Sequence, residues 1–289
     1  MQLGGGIPQE LLAIAAAATV FTVMLSLGCH LEIREFRGIW RQSGSLAKGL
    51  FAVLIAVPAL AFVVTHALGL PRAADIGIML MAVSPGAPVA LRRSLDAGGH
   101  PAFAPALQIL VAIAAVVSMP LSIFAFGVVY AGQASIEPGP VARQVFIAQL
   151  LPLSLGMAFR RFLPAYATRV EPGLARIAKW LLMLLTVLAI FSAWQFIVDA
   201  GLRLIVAIIV VTVLALTAGH LLGGPSESMR TAVAISSAAR NPGLALLVVT
   251  LNHAPAELNA TVLIYLVVAA FTIVPYVMWR RRRATRRAT

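Results

Sequence analysis

Charge is what this sequence has least of. Only 11% of its 289 residues are charged and just 10 are Asp or Glu, against roughly 25% charged in soluble domains. An ordinary soluble enzyme is thereby excluded. Cysteine is nearly absent as well: the single Cys29 allows neither an intramolecular disulfide nor a cysteine metal site, and reads as a small core residue. His30, His66, His100, His220 and His253 fall near the ends of apolar runs without His-x-x-x-His spacing, which argues against a metal site. There is no acidic pair, Walker loop or Gly-x-Ser-x-Gly elbow, so neither an ATPase nor a hydrolase centre is expected. No enzyme, cofactor or metal is read from the chain.

What is present is hydrocarbon. Hydrophobic residues make up 61% of the chain and mean hydropathy is +0.95. At about 20 residues per crossing this suffices for roughly nine transmembrane helices. Apolar segments run from Leu11 to Cys29, Leu46 to Leu68, Ala74 to Leu91, Pro101 to Tyr130, Arg143 to Leu163, Ile177 to Val198, Leu202 to Leu222, Met229 to Leu251 and Asn259 to Trp279. The first is read as a retained helix, since Met1 to Glu10 contains no Lys or Arg. The segment His30 to Ser43, where charges alternate with Leu31, Phe36, Ile39 and Trp40, reads as a helix lying on the inner surface.

Loop charges orient these segments. With the N-terminus outside, Arg34, Arg37, Arg41, Lys48, Arg92, Arg93, Arg160, Arg161, Arg169, Arg176, Lys179, Arg230 and the basic tail all lie inside. The outer side then holds only Arg72, Arg143 and Arg203, the asymmetry expected of cytoplasmic loops. A bacterial inner (plasma) membrane with a cytoplasmic C-terminus is expected. The net charge of +12 is therefore mostly topological, and the run Arg280 to Arg287 reads as a stop-transfer anchor rather than a nucleic-acid site.

Two segments are broken alike, at Ser84-Pro85-Gly86-Ala87-Pro88 and at Asn241-Pro242-Gly243, the latter preceded by Ser236, Ser237 and Arg240. Proline removes a backbone donor and glycine lets the chain leave helical geometry. The freed groups cannot face lipid, so such breaks persist where they are buried in protein or line a watery cavity. Pro58, Pro120, Pro152 and Pro275 read as simple kinks. The broken segments run in opposite directions, the relation of inverted repeats that place a substrate site at the midplane. Arg240 lies inside its crossing, where charge is expensive. It can bind an anionic substrate, replace a coupling cation, or hydrogen-bond carbonyls freed at the breaks. Arg92 and Arg93 read as topogenic charges in preference to lining of the inner mouth.

At these residues the chain resembles the bile acid:sodium symporter family. Ser84-Pro85-Gly86 is similar to the start of its Ser-Pro-Gly-Gly-Thr-x-Ser-Asn motif, Asn241-x-Gly243-Leu244 to the end of its Glu-x-x-x-Gln-Asn-x-Gly-Leu motif, and Leu25-Ser26-Leu27-Gly28 with the charged stretch after it to the family's inner connection. The resemblance implies an all-α polytopic membrane protein of about nine helices, built as inverted repeats with two discontinuous crossing helices. It implies one transporter domain over 1–289, with a core at 46–130 and 202–279, a panel at 11–29 and 143–198, and a basic cytoplasmic tail at 280–289. Where the family has sodium ligands, this chain has Ala90-Leu91, Ala102, Ala106, Ser236 and Arg240. A hard cation needs several oxygen ligands, so sodium coupling is doubtful and Arg240 is expected to stand in for a cation.

The function expected is secondary active transport of a small organic anion, bile-acid or carboxylate-like, by alternating access. The expected substrate-binding residues are Ser84, Pro85, Gly86, Ala87, Pro88, Ser236, Ser237, Arg240, Asn241, Pro242 and Gly243. An anion channel or uniporter, or a membrane receptor that does not transport, are the alternatives. The expected partners are the organic anion and the lipid bilayer, with no nucleic acid.

Overall fold

The computed structural model describes residues 9–31, 42–129, 138–199, 201–252 and 255–288. Among these residues there are helices and no strands. In chain order they are α1 (Gln9–His30), α2 (Ser43–Leu68), α3 (Arg72–Ala82), α4 (Pro88–Asp96), α5 (Phe103–Val129), α6 (Gly139–Phe162), α7 (Pro164–Asp199), α8 (Gly201–Leu222), α9 (Glu227–Ala238), α10 (Pro242–Leu251) and α11 (Ala256–Ala288). α3 with α4, and α9 with α10, are the halves of the two interrupted segments. Most of the surface segment expected at 30–43 lies outside the described residues. The helical stretch at the other end runs on through Ala288, so the basic tail expected from 280 begins inside α11.

Among the described residues six stretches are long and apolar enough to cross a membrane: Ser43–Leu68, Phe103–Gly127, Gly139–Phe162, Gly201–Leu222, Glu227–Leu251 and Glu257–Arg286, with Ile14–His30 a shorter apolar helix. α5 shows what solvent they are built for. Leu107, Val111, Ala115 and Met119 recur every four residues and are buried, while Ile113, Val117, Leu121 and Phe124 line the outer face and are exposed. A helix apolar on both faces belongs in hydrocarbon. The chain is a polytopic membrane protein.

α1 packs on α6 and α7, and α6 on α7; α2, α3, α4, α5, α8, α9, α10 and α11 pack largely against one another, and the two sets meet where α10 packs on α1, α11 on α7 and α5 on α6. The α1–α6 crossing is made by glycine. A Cβ on Gly28 would press on Leu153 O and come within 2.9 Å of Gly156 Cα, and one on Gly156 would press on Leu25 O. Backbones approach this closely only where side chains are missing, the usual means of joining helices in lipid.

Candidate functional site

The two breaks meet. Ser84 ends α3: its amide donates to Met81 O at 3.1 Å and its hydroxyl to Leu80 O at 2.7 Å. The Ser84 carbonyl accepts the Asn241 amide from the other break at 2.9 Å. Asn241 also caps α10, its Oδ1 accepting from Leu244 N at 3.1 Å. Pro242 and Pro88 open α10 and α4, positions where the missing amide costs nothing. In the first break Gly86 takes φ +80°, and the Ala87 carbonyl accepts Gln108 Nε2 from α5 at 3.4 Å. Two helix N-termini, with their partial positive charge, thus start at one crossover.

Arg240 is 5% exposed and both its terminal nitrogens donate to Val53 O on α2, at 3.0 and 3.1 Å. The reason that carbonyl is available lies in the π turn at Ala52–Ala56, where the Val57 amide donates to Ala52 O, five residues back. In that register the next donor, to Val53 O, would be residue 58, and Pro58 has no N–H. Arg240 supplies the missing donor. Of the three roles open to it from sequence, hydrogen bonding to a freed carbonyl describes its geometry, but the carbonyl belongs to a proline kink of α2 and not to either break.

α6 repeats the device. Leu151 N donates to Phe146 O across the π turn at Phe146–Leu150, and Pro152 follows. Gln149, within that turn, is fully buried with neither its Nε2 nor its Oε1 bonded among the described residues. Its carboxamide lies over the first break, 2.5 Å from where a Cβ on Gly86 would stand.

A cavity of about 80 Å³ opens at the crossover, between α1 and α7 on one side and the second break, α4 and α11 on the other. A second cavity of about 530 Å³ adjoins it, sharing Val23, Val89 and Leu182. Its wall carries His30, Arg92, Asp96, Glu171 and Lys179, and Arg92 Nη2 donates to Glu171 Oε1 at 3.1 Å, joining α4 to α7. Of the expected site residues, Ala87, Arg240, Asn241, Pro242 and Gly243 line the smaller cavity. Ser84, Pro85 and Gly86 form the crossover without lining it. Ser236 and Ser237 are buried on α9, Ser237 against Gly219 of α8, and neither reaches it. Among the sodium-ligand positions, Ala90, Leu91 and Ala106 are buried hydrocarbon.

Sequence reasoning passed over Val53, Gln108 and Gln149, and read Arg93 as a topogenic charge. Gln108 and Gln149 had a usable signal, each a lone amide within a long apolar run. Arg93 lines the smaller cavity while its neighbour Arg92 lines the larger; one residue turns a helix by about 100°, so adjacent arginines serve different faces.

A family model described as Sodium Bile acid symporter family matches residues 17–200. Among curated relatives, the human "P3 protein" is 26% identical over 248 residues, covering 81% of this chain and 50% of its own length. The "Uncharacterized sodium-dependent transporter YocS" of Bacillus subtilis (strain 168) is 25% identical, covering 55% of this chain and 50% of its own. The "Probable sodium/metabolite cotransporter BASS3, chloroplastic" of Arabidopsis thaliana is 25% identical, covering 68% and 46%. The chain spans about half the length of the curated relatives it matches. Two broken helices joined at Ser84 and Asn241 inside an apolar bundle, and a match over residues 17–200, agree: the chain belongs to the sodium bile acid symporter family, a family of membrane transporters and not of enzymes.

Proposed function

We propose that this chain is a secondary carrier that moves a small organic anion of carboxylate type across the membrane by alternating access, with the helix crossover as its site. The observation that carries the reading is the Asn241–Ser84 hydrogen bond with a cavity beside it, because broken helices crossing at depth in a bilayer are how carriers present backbone to a substrate. Nine crossings follow if α1, the α3–α4 pair and α7 join the six long apolar stretches. α1, α6 and α7 form the panel and the remaining helices the core. His30, Arg92, Glu171 and Lys179 sit on the positively charged side, so the larger cavity is the inner vestibule and the protein faces inward.

Sodium is not needed in this reading. The positions that would ligate it hold hydrocarbon, apart from Ser236 and Arg240, and the Arg240 guanidinium already occupies a carbonyl of the kind a cation would use. The test is counterflow in liposomes preloaded with hexanoate, benzoate or taurocholate. A carrier gives saturable uptake of label that requires internal substrate. Flux that rises linearly with concentration and ignores internal substrate identifies a channel, and saturable binding without flux identifies a receptor.

A further inference from the structure

We infer that Arg93 is the residue that binds the anion, and that the group it takes is a single carboxylate on an otherwise apolar molecule. This rests on the carrier reading above and names that site's charge and substrate class. Three arginines lie at or beside the crossover, and two of them have terminal nitrogens already engaged. Arg240 directs both terminal nitrogens to Val53 O, and Arg92 is paired with Glu171. Arg93, half-buried on α4, lines the 80 Å³ cavity and its guanidinium has no hydrogen-bond or ion-pair partner among the described residues. Asp96, one turn further along α4, is exposed and lines the larger cavity.

The rest of the small cavity is chiefly hydrocarbon, Val20, Leu185 and Ile273 among it, with Thr19, Asn241 and Tyr265 as neutral polar groups and Arg240 as a second cation. An uncompensated guanidinium in such surroundings is costly. A carboxylate relieves that cost by accepting two parallel N–H bonds from the fork. Arg240 lines the same cavity, but its terminal nitrogens are held at Val53 O and only its Nε lacks a partner among the described residues, so Arg93 offers the open fork there, which accommodates one carboxylate. Size sets the remainder: an apolar cavity of about 150 Å³ holds benzene, so 80 Å³ takes a head group. The apolar body then extends past Val23, Val89 and Leu182 into the 530 Å³ vestibule.

The test uses the full chain in lipid nanodiscs, titrated with hexanoate and with uncharged hexanamide. The wild type binds hexanoate in preference to hexanamide. Arg93→Gln weakens hexanoate about 10- to 100-fold, the size of a charged hydrogen bond, and removes the preference for acid over amide. Arg93→Lys recovers part of both. Hexanoate binding by Arg93→Gln equal to wild type overturns the assignment and leaves the carrier reading standing. Failure of the wild type to bind any of hexanoate, benzoate or taurocholate overturns the anion reading itself, and this assignment with it. Should Arg93→Gln not fold, wild-type protein is treated with phenylglyoxal and Arg93 followed by mass spectrometry. Saturating hexanoate slows its modification at least severalfold, and an unchanged rate in protein that binds hexanoate overturns the assignment.

Discussion

Arg240 and Pro58 solve one problem together. A proline inside an apolar helix strands a carbonyl, a buried guanidinium needs an acceptor, and in this fold each answers the other through Val53 O. Arg240→Met strands Val53 O again and lowers the stability of the detergent-solubilised protein by about 1–3 kcal/mol, read as a drop in melting temperature. Pro58→Ala restores a backbone donor. In the double variant Arg240→Met/Pro58→Ala the loss is smaller than the sum of the single losses, with a coupling on the order of 1 kcal/mol; strictly additive losses contradict the pairing. The burial of Arg240 was legible in the sequence from its place in a crossing. Its partner was not, because the acceptor is a main-chain oxygen 187 positions away in the chain, and which carbonyl a proline frees depends on whether the turn before it is α or π.

At the scale of the element, the breaks were the most legible feature of the chain, since Pro-Gly pairs in apolar segments leave little choice of conformation. What pattern could not supply was their cover. Gln149 comes from α6 and sits over Gly86, a meeting of helices about sixty residues apart that periodicity does not encode. Gly86 faces two demands, a φ of +80° that side-chain-bearing residues resist by about 1–2 kcal/mol and the Gln149 carboxamide against its Cα. Gly86→Ala therefore loses most counterflow activity. Adding Gln149→Ala recovers part of it by removing the clash while the backbone strain remains, and a double variant as inactive as Gly86→Ala would show that Gln149 does not cover the break. The ends of elements were least legible: α11 extends well beyond Trp279, and Arg280, taken from sequence as part of a tail, is buried and bonded to Glu227 and to Thr231 Oγ1.

At the scale of the molecule, the sequence reads as hydrocarbon with charges sorted by side, and the packing of α1 on α6 and α7 adds a grouping the composition did not contain. Arg92 of α4 and Glu171 of α7 join this group to the rest at 3.1 Å beside the larger cavity. With the Arg92 side chain 60% exposed, the pair contributes no more than about 1 kcal/mol to stability. Yet 1 kcal/mol moves a balance between two conformations about fivefold. Glu171→Gln accordingly leaves the melting temperature nearly unchanged and shifts the inward-to-outward population by up to about fivefold, measured by accessibility of a cysteine introduced at Ser26 in the vestibule wall; an unchanged accessibility contradicts the bridge. The central claim is that this family member carries an organic anion without a sodium ion. Its most direct test is counterflow of labelled hexanoate, benzoate and taurocholate into preloaded proteoliposomes, run side by side in sodium and in choline. Saturable counterflow of at least one of the three at equal rates in both media is expected, and counterflow that appears only in sodium, or in neither, overturns sodium-independent carriage.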